Sequence, residues 1–226
     1  MKQANYREAA IARQRAGALQ GNCGAKGEDM HRVTRLILVC RGAALSAREG
    51  IFGSDGPLAE GQREAAAALR PLLPRADIFR CAPEASARET AAALASAARG
   101  MDPALADPSL ADMAYGAWEG RTLAAVAENE ADTLECWMRG TGAPPGGESV
   151  AALAARVSIW LEAHLRHGGR ILAVTHAAVI RAMVLEVLGA PPASFRRIDV
   201  TPLSVTEFTG NGERWALRCL GAPAPL

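Results

Sequence analysis

The most constraining feature of this sequence is an apolar run, Leu36-Ile37-Leu38-Val39, that stops at Cys40-Arg41-Gly42. A short apolar run that ends in a turn is typical of a parallel strand buried on both faces. A second junction of this kind lies downstream, where the apolar residues 171–174 are followed by Thr175-His176. Open α/β sheets bind ligands at the carboxyl ends of their strands. If these two strands are neighbours, Arg41 and His176 face one pocket.

Strands and helices are predicted to alternate along the rest of the chain. This alternation predicts an α/β fold, a doubly wound and mostly parallel sheet flanked by helices. After the first strand, the predicted elements are a helix at about 59–73, a strand at 76–81, an alanine-rich helix ending near Gly100, a helix around 122–138, a helix that starts at Ser149, the 171–174 strand, a helix at about 178–188, and closing strands at 198–208 and 215–220.

The same pattern predicts the domain organisation. A single domain is expected at 33–221, preceded by a flexible extension at 1–32 and followed by a short tail at 222–226. Residues 101–147 are predicted to be an insertion with its own helix, bounded by the turn Pro144-Pro145-Gly146-Gly147. An insertion over the carboxyl edge of the sheet would act as a helical cap on the pocket.

Composition excludes several classes of partner. A net charge of +1, with no dense block of Lys and Arg, predicts neither nucleic-acid binding nor binding to an anionic membrane. No apolar segment approaches the roughly 20 residues that span a bilayer. The five cysteines are scattered and form no close pair of the kind that zinc sites use, so we expect no metal or other cofactor and a reducing, cytoplasmic location.

Several further motifs occur in a fixed order along the chain, in addition to the two strand ends. They are Ser54-Asp55-Gly56-Pro57-Leu58 with Gly61, Tyr115-Gly116-Ala117-Trp118-Glu119-Gly120, Pro145-Gly146-Gly147-Glu148-Ser149 and Thr175-His176. With these motifs the chain resembles the histidine phosphatase superfamily, also called phosphoglycerate mutase-like, from about Arg35 to about Glu207. The resemblance implies the same α/β fold and a phosphoryl-transfer hydrolase.

In that family the first strand ends in Arg-His-Gly, and this histidine attacks phosphorus. Two arginines and a second histidine surround the phosphoryl oxygens, and a carboxylic acid protonates the leaving oxygen. Carried over by position, the resemblance puts the first arginine at Cys40, the nucleophile at Arg41, the second arginine at Ser86, the second histidine at His176 and the acid at Asp112.

Arg41 cannot replace the nucleophile, because an arginine side chain stays protonated at any working pH. Shifting the alignment by one residue would put Gly42 at that position, which has no nucleophile either. Cysteine phosphatases carry an arginine six positions after the cysteine, and the corresponding residues here are Ser46 and Ala87. Phosphohistidine catalysis is therefore predicted to be lost.

The residues leave three functions open. The leading hypothesis is a pocket that binds a phosphorylated or carboxylated small molecule. The residues expected to bind the anion are Arg41, Gly42, His176 and Arg88 or Arg181. The residues expected around them are Cys40, Ser86 and Glu148. In the competing arrangement Arg41 pairs internally with Asp112 or Glu148. The first alternative is an enzyme, either a phosphomonoesterase or mutase with a non-standard nucleophile or a catalyst of another reaction with His176 and Asp112 as acid and base. The second alternative is a homodimeric scaffold with a vestigial site.

Overall fold

A sheet of six strands, in the order β3-β2-β4-β1-β5-β6, forms the centre of the fold. The computed structural model describes residues 33–45, 50–53, 55–96 and 103–222. The predicted extension at 1–32 and most of the predicted tail lie outside the described residues, as does Ser46. The strands are β1 (Thr34–Cys40), β2 (Ile78–Cys81), β3 (Leu105–Ala106), β4 (Gly169–Thr175), β5 (Val205–Gly210) and β6 (Trp215–Ala222).

The sheet is mostly parallel, as predicted. Strands β1 to β4 pair in parallel, whereas β5 runs antiparallel to both β1 and β6. Residues Leu36–Val39 of β1 and Ile171–Val174 of β4 are at most 2 % exposed. These central strands are apolar at successive positions because helices cover a parallel sheet on both faces.

Six helices accompany the sheet in the described residues. They are α1 (Gln62–Leu69), α2 (Ala85–Ser96), α3 (Leu123–Asn129), α4 (Ala131–Met138), α5 (Val150–His164) and α6 (Ala177–Leu188). Helix α1 packs on α2, and α5 packs on α6. Helix α5 begins as predicted, because the Ser149 hydroxyl accepts the Ala152 N–H at 3.1 Å and caps the first turn. No helix among the described residues is long and apolar enough to cross a membrane.

Two predicted elements were wrong in extent. The helix predicted around 122–138 is divided into α3 and α4 at Glu130, whose backbone is not helical (φ −142°, ψ 43°). The Glu130 carboxylate accepts hydrogen bonds from Trp118 Nε1 and from Arg121, and these bonds hold the break. The strand predicted at 198–208 begins only at Val205, because Leu203 has a left-handed φ of +60° that interrupts an extended chain.

The insertion packs through aromatic side chains. Trp118 is fully buried, and its ring centroid lies 5.3 Å from that of Phe52 and 5.7 Å from that of Trp137 on α4. Residues 114–118 also contact the turn that precedes α5, since Ala117 N–H donates to Pro145 O at 2.9 Å and Glu148 N–H donates to Ala114 O at 2.7 Å. These contacts fix the segment that carries Asp112 and Tyr115.

A pair of glycine substitutions tests how tightly this segment is held. Gly116 and Gly146 both have positive φ, but a Cβ on Gly116 would meet Pro145 O at 2.4 Å, whereas a Cβ on Gly146 would meet nothing within 4 Å. We expect Gly146→Ala to lower the free energy of unfolding by about 1 kcal/mol through backbone strain alone. Gly116→Ala should cost at least about 2 kcal/mol more, because backbone atoms must move.

Urea unfolding of both variants and the wild type would measure this difference. Equal costs for the two substitutions would contradict the close approach of the insertion to the turn at 144–147.

Candidate functional site

The pocket is formed by the carboxyl ends of β1 and β4. These strands are neighbours in parallel register, with Cys40 opposite Thr175, so the condition set in the sequence analysis is met. Arg41 and His176 therefore leave the sheet side by side, and the Arg41 N–H donates to Thr175 O at 2.8 Å. Helix α6 starts directly after His176, which is its N-cap residue. Both side chains line one cavity of about 340 Å³.

The lining of this cavity is rich in arginine. Its charged residues are Arg41, Asp112, His176, Arg181 and Arg196. Aromatic side chains from the insertion and from the segment after α6 complete the wall, namely Tyr115, Trp137 and Phe195. Among the described residues, three guanidinium groups and one carboxylate thus line this cavity.

His176 is held between two carboxylates. Its Nε2 lies 2.9 Å from Glu84 Oε2, its Nδ1 lies 3.2 Å from Asp112 Oδ2, and only 4 % of the side chain is exposed. Burial alone lowers the pKa of His176, but the carboxylates of Asp112 and Glu84 outweigh burial and raise it to about 9. The ring is therefore an imidazolium at neutral pH, with both N–H groups donating to carboxylates. This pairing stabilises the fold fully below the ordinary pKa of 6.5 and is lost as pH rises through about 9.

Each of the two carboxylates that hold His176 also accepts a hydrogen bond from a backbone N–H. Glu84 Oε1 accepts the Asp112 backbone N–H at 2.9 Å, and Asp112 Oδ1 accepts the Met113 N–H at 2.9 Å. Burial opposes ionisation of both groups, but contact with His176 and these N–H donors lowers the pKa of each carboxyl below its usual range. Asp112 is therefore an ionised partner of His176, whereas the family resemblance assigns that position the role of proton donor.

Arg41 has no carboxylate partner in the described residues. Its Nη1 donates to Gly42 O at 2.9 Å, and its Nε lies 3.1 Å from His176 Nδ1. That second contact is a hydrogen bond only when the imidazole is neutral, because a protonated Nδ1 has no lone pair to accept. At neutral pH Nδ1–H donates to Asp112, so the Arg41 Nε–H has no acceptor at that nitrogen.

The competing arrangement, in which Arg41 pairs with Asp112 or Glu148, does not occur. Asp112 pairs with His176, and Glu148 forms a two-point ion pair with Arg156, at 3.1 Å to Nε and 3.0 Å to Nη2. Arg156 also donates to backbone carbonyls of the insertion, including Ala111 O at 3.0 Å. Glu148 therefore fastens α5 to the insertion and lies outside the pocket that Arg41 lines.

Three other predicted site residues lie outside the cavity lining. Ser86 is fully buried at the start of α2, where its N–H and hydroxyl donate to Asp55 Oδ1 at 3.1 Å and 2.9 Å. Arg88 is exposed on α2. The Gly42 N–H donates to Thr90 Oγ1 at 3.0 Å, and this bond ties the end of β1 to α2.

The two cysteines at strand ends remain thiols. Cys40 lines the cavity but is only 3 % exposed, and burial raises the pKa of its thiol to about 12, even though Arg41 opposes the shift. Burial also raises the pKa of the Cys81 thiol. Neither cysteine supplies a thiolate at neutral pH, and thiolate is the nucleophilic form.

Sequence reasoning missed Glu84 and Arg196. Glu84 follows Pro83 just after β2, and β2 pairs with β4, so a polar residue at another strand end was the available signal. Arg196 lies in the 3₁₀ turn Pro192–Arg197, within a stretch predicted to lead into a strand, and nothing in its local sequence connects it to the pocket. Its guanidinium lies over the Trp137 ring at 5.2 Å from the centroid.

Comparison with known proteins gives the same assignment as the fold. Residues 36–223 match the model of the histidine phosphatase superfamily, branch 1. A curated relative, the bifunctional protein Rv2228c of Mycobacterium tuberculosis, is 32% identical over 189 residues, which are 79% of this chain and 51% of the relative. The chain thus spans about half the length of these curated relatives.

Solved structures agree with this family. The alpha-ribazole phosphatase from Shigella flexneri is 25% identical, with a TM-score of 0.73 over 83% of this chain and 96% of that one. A protein described as mycobacterial hydrolase 1 is also 25% identical, with a TM-score of 0.74 over 85% of this chain and 100% of that one. The sheet order, the pocket at the ends of β1 and β4 and these matches together place the chain in the histidine phosphatase superfamily, branch 1.

Proposed function

We propose that this protein binds a small anionic molecule in the pocket at the ends of β1 and β4 and does not form a phosphohistidine. The observation that carries the proposal is the state of Arg41, which lines the cavity, has no carboxylate partner in the described residues and follows β1 directly. A guanidinium at this place favours an anion through charge-assisted hydrogen bonds and cannot attack phosphorus.

The remaining groups in the pocket support the absence of phosphoryl transfer. His176 is protonated at neutral pH and donates both N–H groups to carboxylates, so it has no lone pair with which to attack. Cys40 is a buried thiol, and the carboxyl of Asp112 is ionised beside His176. Losing a nucleophile typically costs several orders of magnitude in rate. The pairing of Asp112 with His176 therefore supports a structural role for both residues.

An open cavity lined by Arg41, which has no carboxylate partner among the described residues, favours binding over the scaffold hypothesis. A vestigial site would be expected to close, with Arg41 neutralised internally, because a charge without a partner is costly once it leaves water. Here Arg41, Arg181 and Arg196 all line the same space of about 340 Å³, which lies within the range of small-molecule pockets.

Anion binding is tested by a pair of arginine variants. We expect calorimetry to detect binding of inorganic phosphate to the wild type and a loss of about tenfold to a hundredfold in affinity in Arg41→Ala, because each charge-assisted bond contributes about 1.5 to 3 kcal/mol. Arg88→Ala is the matched control, since Arg88 is exposed on α2 and does not line the cavity. Equal affinities of the wild type and Arg41→Ala would contradict the proposal.

Absence of phosphatase chemistry is tested separately. We expect the wild type to release no phosphate from p-nitrophenyl phosphate above the blank and to form no acid-labile phosphoenzyme, because neither His176 nor Cys40 of the described lining is in nucleophilic form. The double variant Cys40→Arg, Arg41→His supplies the arginine and histidine of the family's motif and is expected to gain a phosphoenzyme. Wild-type turnover at about 1 s⁻¹ or faster, abolished in His176→Gln, would overturn the proposal.

Anion affinity should fall as pH rises through about 9. Below that pH the His176 imidazolium adds positive charge, and Arg41 Nε–H is available, whereas above it the neutral ring accepts this N–H and the charge is lost. Sulfate is the suitable probe because its charge is constant over this range. Calorimetry at a series of pH values, with NMR titration of the His176 ring, would measure the midpoint.

Glu84→Gln provides the control for this pH dependence. Removing one of the two carboxylates should lower the pKa of His176 and move the loss of affinity to lower pH. An affinity for sulfate that does not change between about pH 7 and about pH 10, or a midpoint that Glu84→Gln leaves in place, would contradict the assignment.

A further inference from the structure

The cavity is larger than a simple anion requires. Its volume is about 340 Å³, and a water molecule takes up about 30 Å³ in the liquid, so the cavity has room for about ten waters. An orthophosphate bound at Arg41 would leave most of this space to the rest of a ligand. The lining outside Arg41 and His176 therefore carries information about what that ligand is.

One part of the cavity lining, next to Arg41, is suited to one anionic group. This part includes Ala177 and Ala178 in the first turn of α6. The first backbone N–H that bonds back within this helix is that of Ile180, which donates to His176 O at 3.1 Å, and the His176 side chain makes no capping bond. The N–H groups of Ala177 and Ala178 are thus left without a helical acceptor at the positive end of a twelve-residue helix, beside a guanidinium.

Arg181 and Arg196 are two further cations of the cavity lining. Both guanidinium groups lie over aromatic rings, Arg181 over Phe195 at 5.8 Å and Arg196 over Trp137 at 5.2 Å from the centroids. A guanidinium that packs through its face keeps the N–H donors on its edge for an anion.

These two arginines are weakly neutralised by the protein. The nearest carboxylate to Arg181 is Asp199, 3.7 Å away with a side chain that is 90% exposed, and Arg181 Nε is buried with no partner in the described residues. Arg196 has no carboxylate within 4.0 Å in the described part of the chain. An exposed ion pair at 3.7 Å contributes little, so both arginines are available to a ligand.

Much of the remaining lining is apolar. Phe195, Val200 and Pro202 line the cavity, with Tyr115 from the insertion. Apolar surface of this kind favours a ligand whose body is a ring or another hydrocarbon group.

We infer that the ligand of this pocket is a molecule with two anionic groups on an apolar, ring-sized body. One group binds at Arg41 and the first turn of α6, the other binds at Arg181 and Arg196, and the body lies against the apolar lining. This inference rests on the proposed anion binding and adds the class of ligand to it.

Calorimetry on the full chain with matched probes tests the inference. The probes are phenyl phosphate, with one anionic group, and 4-carboxyphenyl phosphate, with a second group across the same ring. We expect 4-carboxyphenyl phosphate to bind the wild type at least about tenfold more tightly than phenyl phosphate. Arg196→Gln should abolish this advantage, so that the variant binds the two probes with equal affinity.

Arg197→Gln is the control variant, because Arg197 is an exposed neighbour in the same 3₁₀ turn and does not line the cavity. It should keep the full advantage of the second anionic group. If phenyl phosphate binds through Arg41 but the carboxylate adds nothing, or Arg197→Gln removes the advantage as completely as Arg196→Gln, the inference is overturned while the proposed anion binding stands. If neither probe binds the wild type, or Arg41→Ala does not weaken them, the proposed function itself fails.

Discussion

The parallel pairing of β1 with β4 is the constraint on which the site depends. Cys40 lies opposite Thr175, so the residues that directly follow the two strands, Arg41 and His176, lie side by side. Both side chains line the same pocket. Because side chains alternate between the faces of a sheet, a shift of one residue in this register would separate them. Buried apolar residues on both strands oppose such a shift, so the core of the domain also sets the geometry of the site.

Within this frame, the charged groups of the pocket differ from those that the resemblance implies. The resemblance places arginine, histidine and arginine at Cys40, Arg41 and Ser86, so two positive groups that would surround a phosphate are absent. Two carboxylates, those of Glu84 and Asp112, hold His176 as an imidazolium. These carboxylates offset much of the imidazolium charge, so most of the positive charge that a ligand meets comes from Arg41, Arg181 and Arg196.

Much of the fold could be predicted from sequence, because strand ends and helix caps are local signals. The apolar runs before Arg41 and His176 and the cap at Ser149 each depend on residues close together in the chain. The break of the predicted 122–138 helix at Glu130 could not be predicted in this way, since it depends on hydrogen bonds from Trp118 and Arg121. The late start of β5 likewise follows from the left-handed backbone of Leu203.

The sequence by itself therefore determined the α/β class, the family and the presence of Arg41 and His176 at two strand ends. Only the tertiary structure decided their partners. In the structure Glu84 pairs with His176 Nε2, and Glu148 pairs with Arg156. The Ser86 hydroxyl donates to Asp55, and the Arg196 guanidinium lies over the Trp137 ring at the pocket. These pairings join residues distant in sequence, or depend on side-chain directions that packing sets, so no local pattern could encode them.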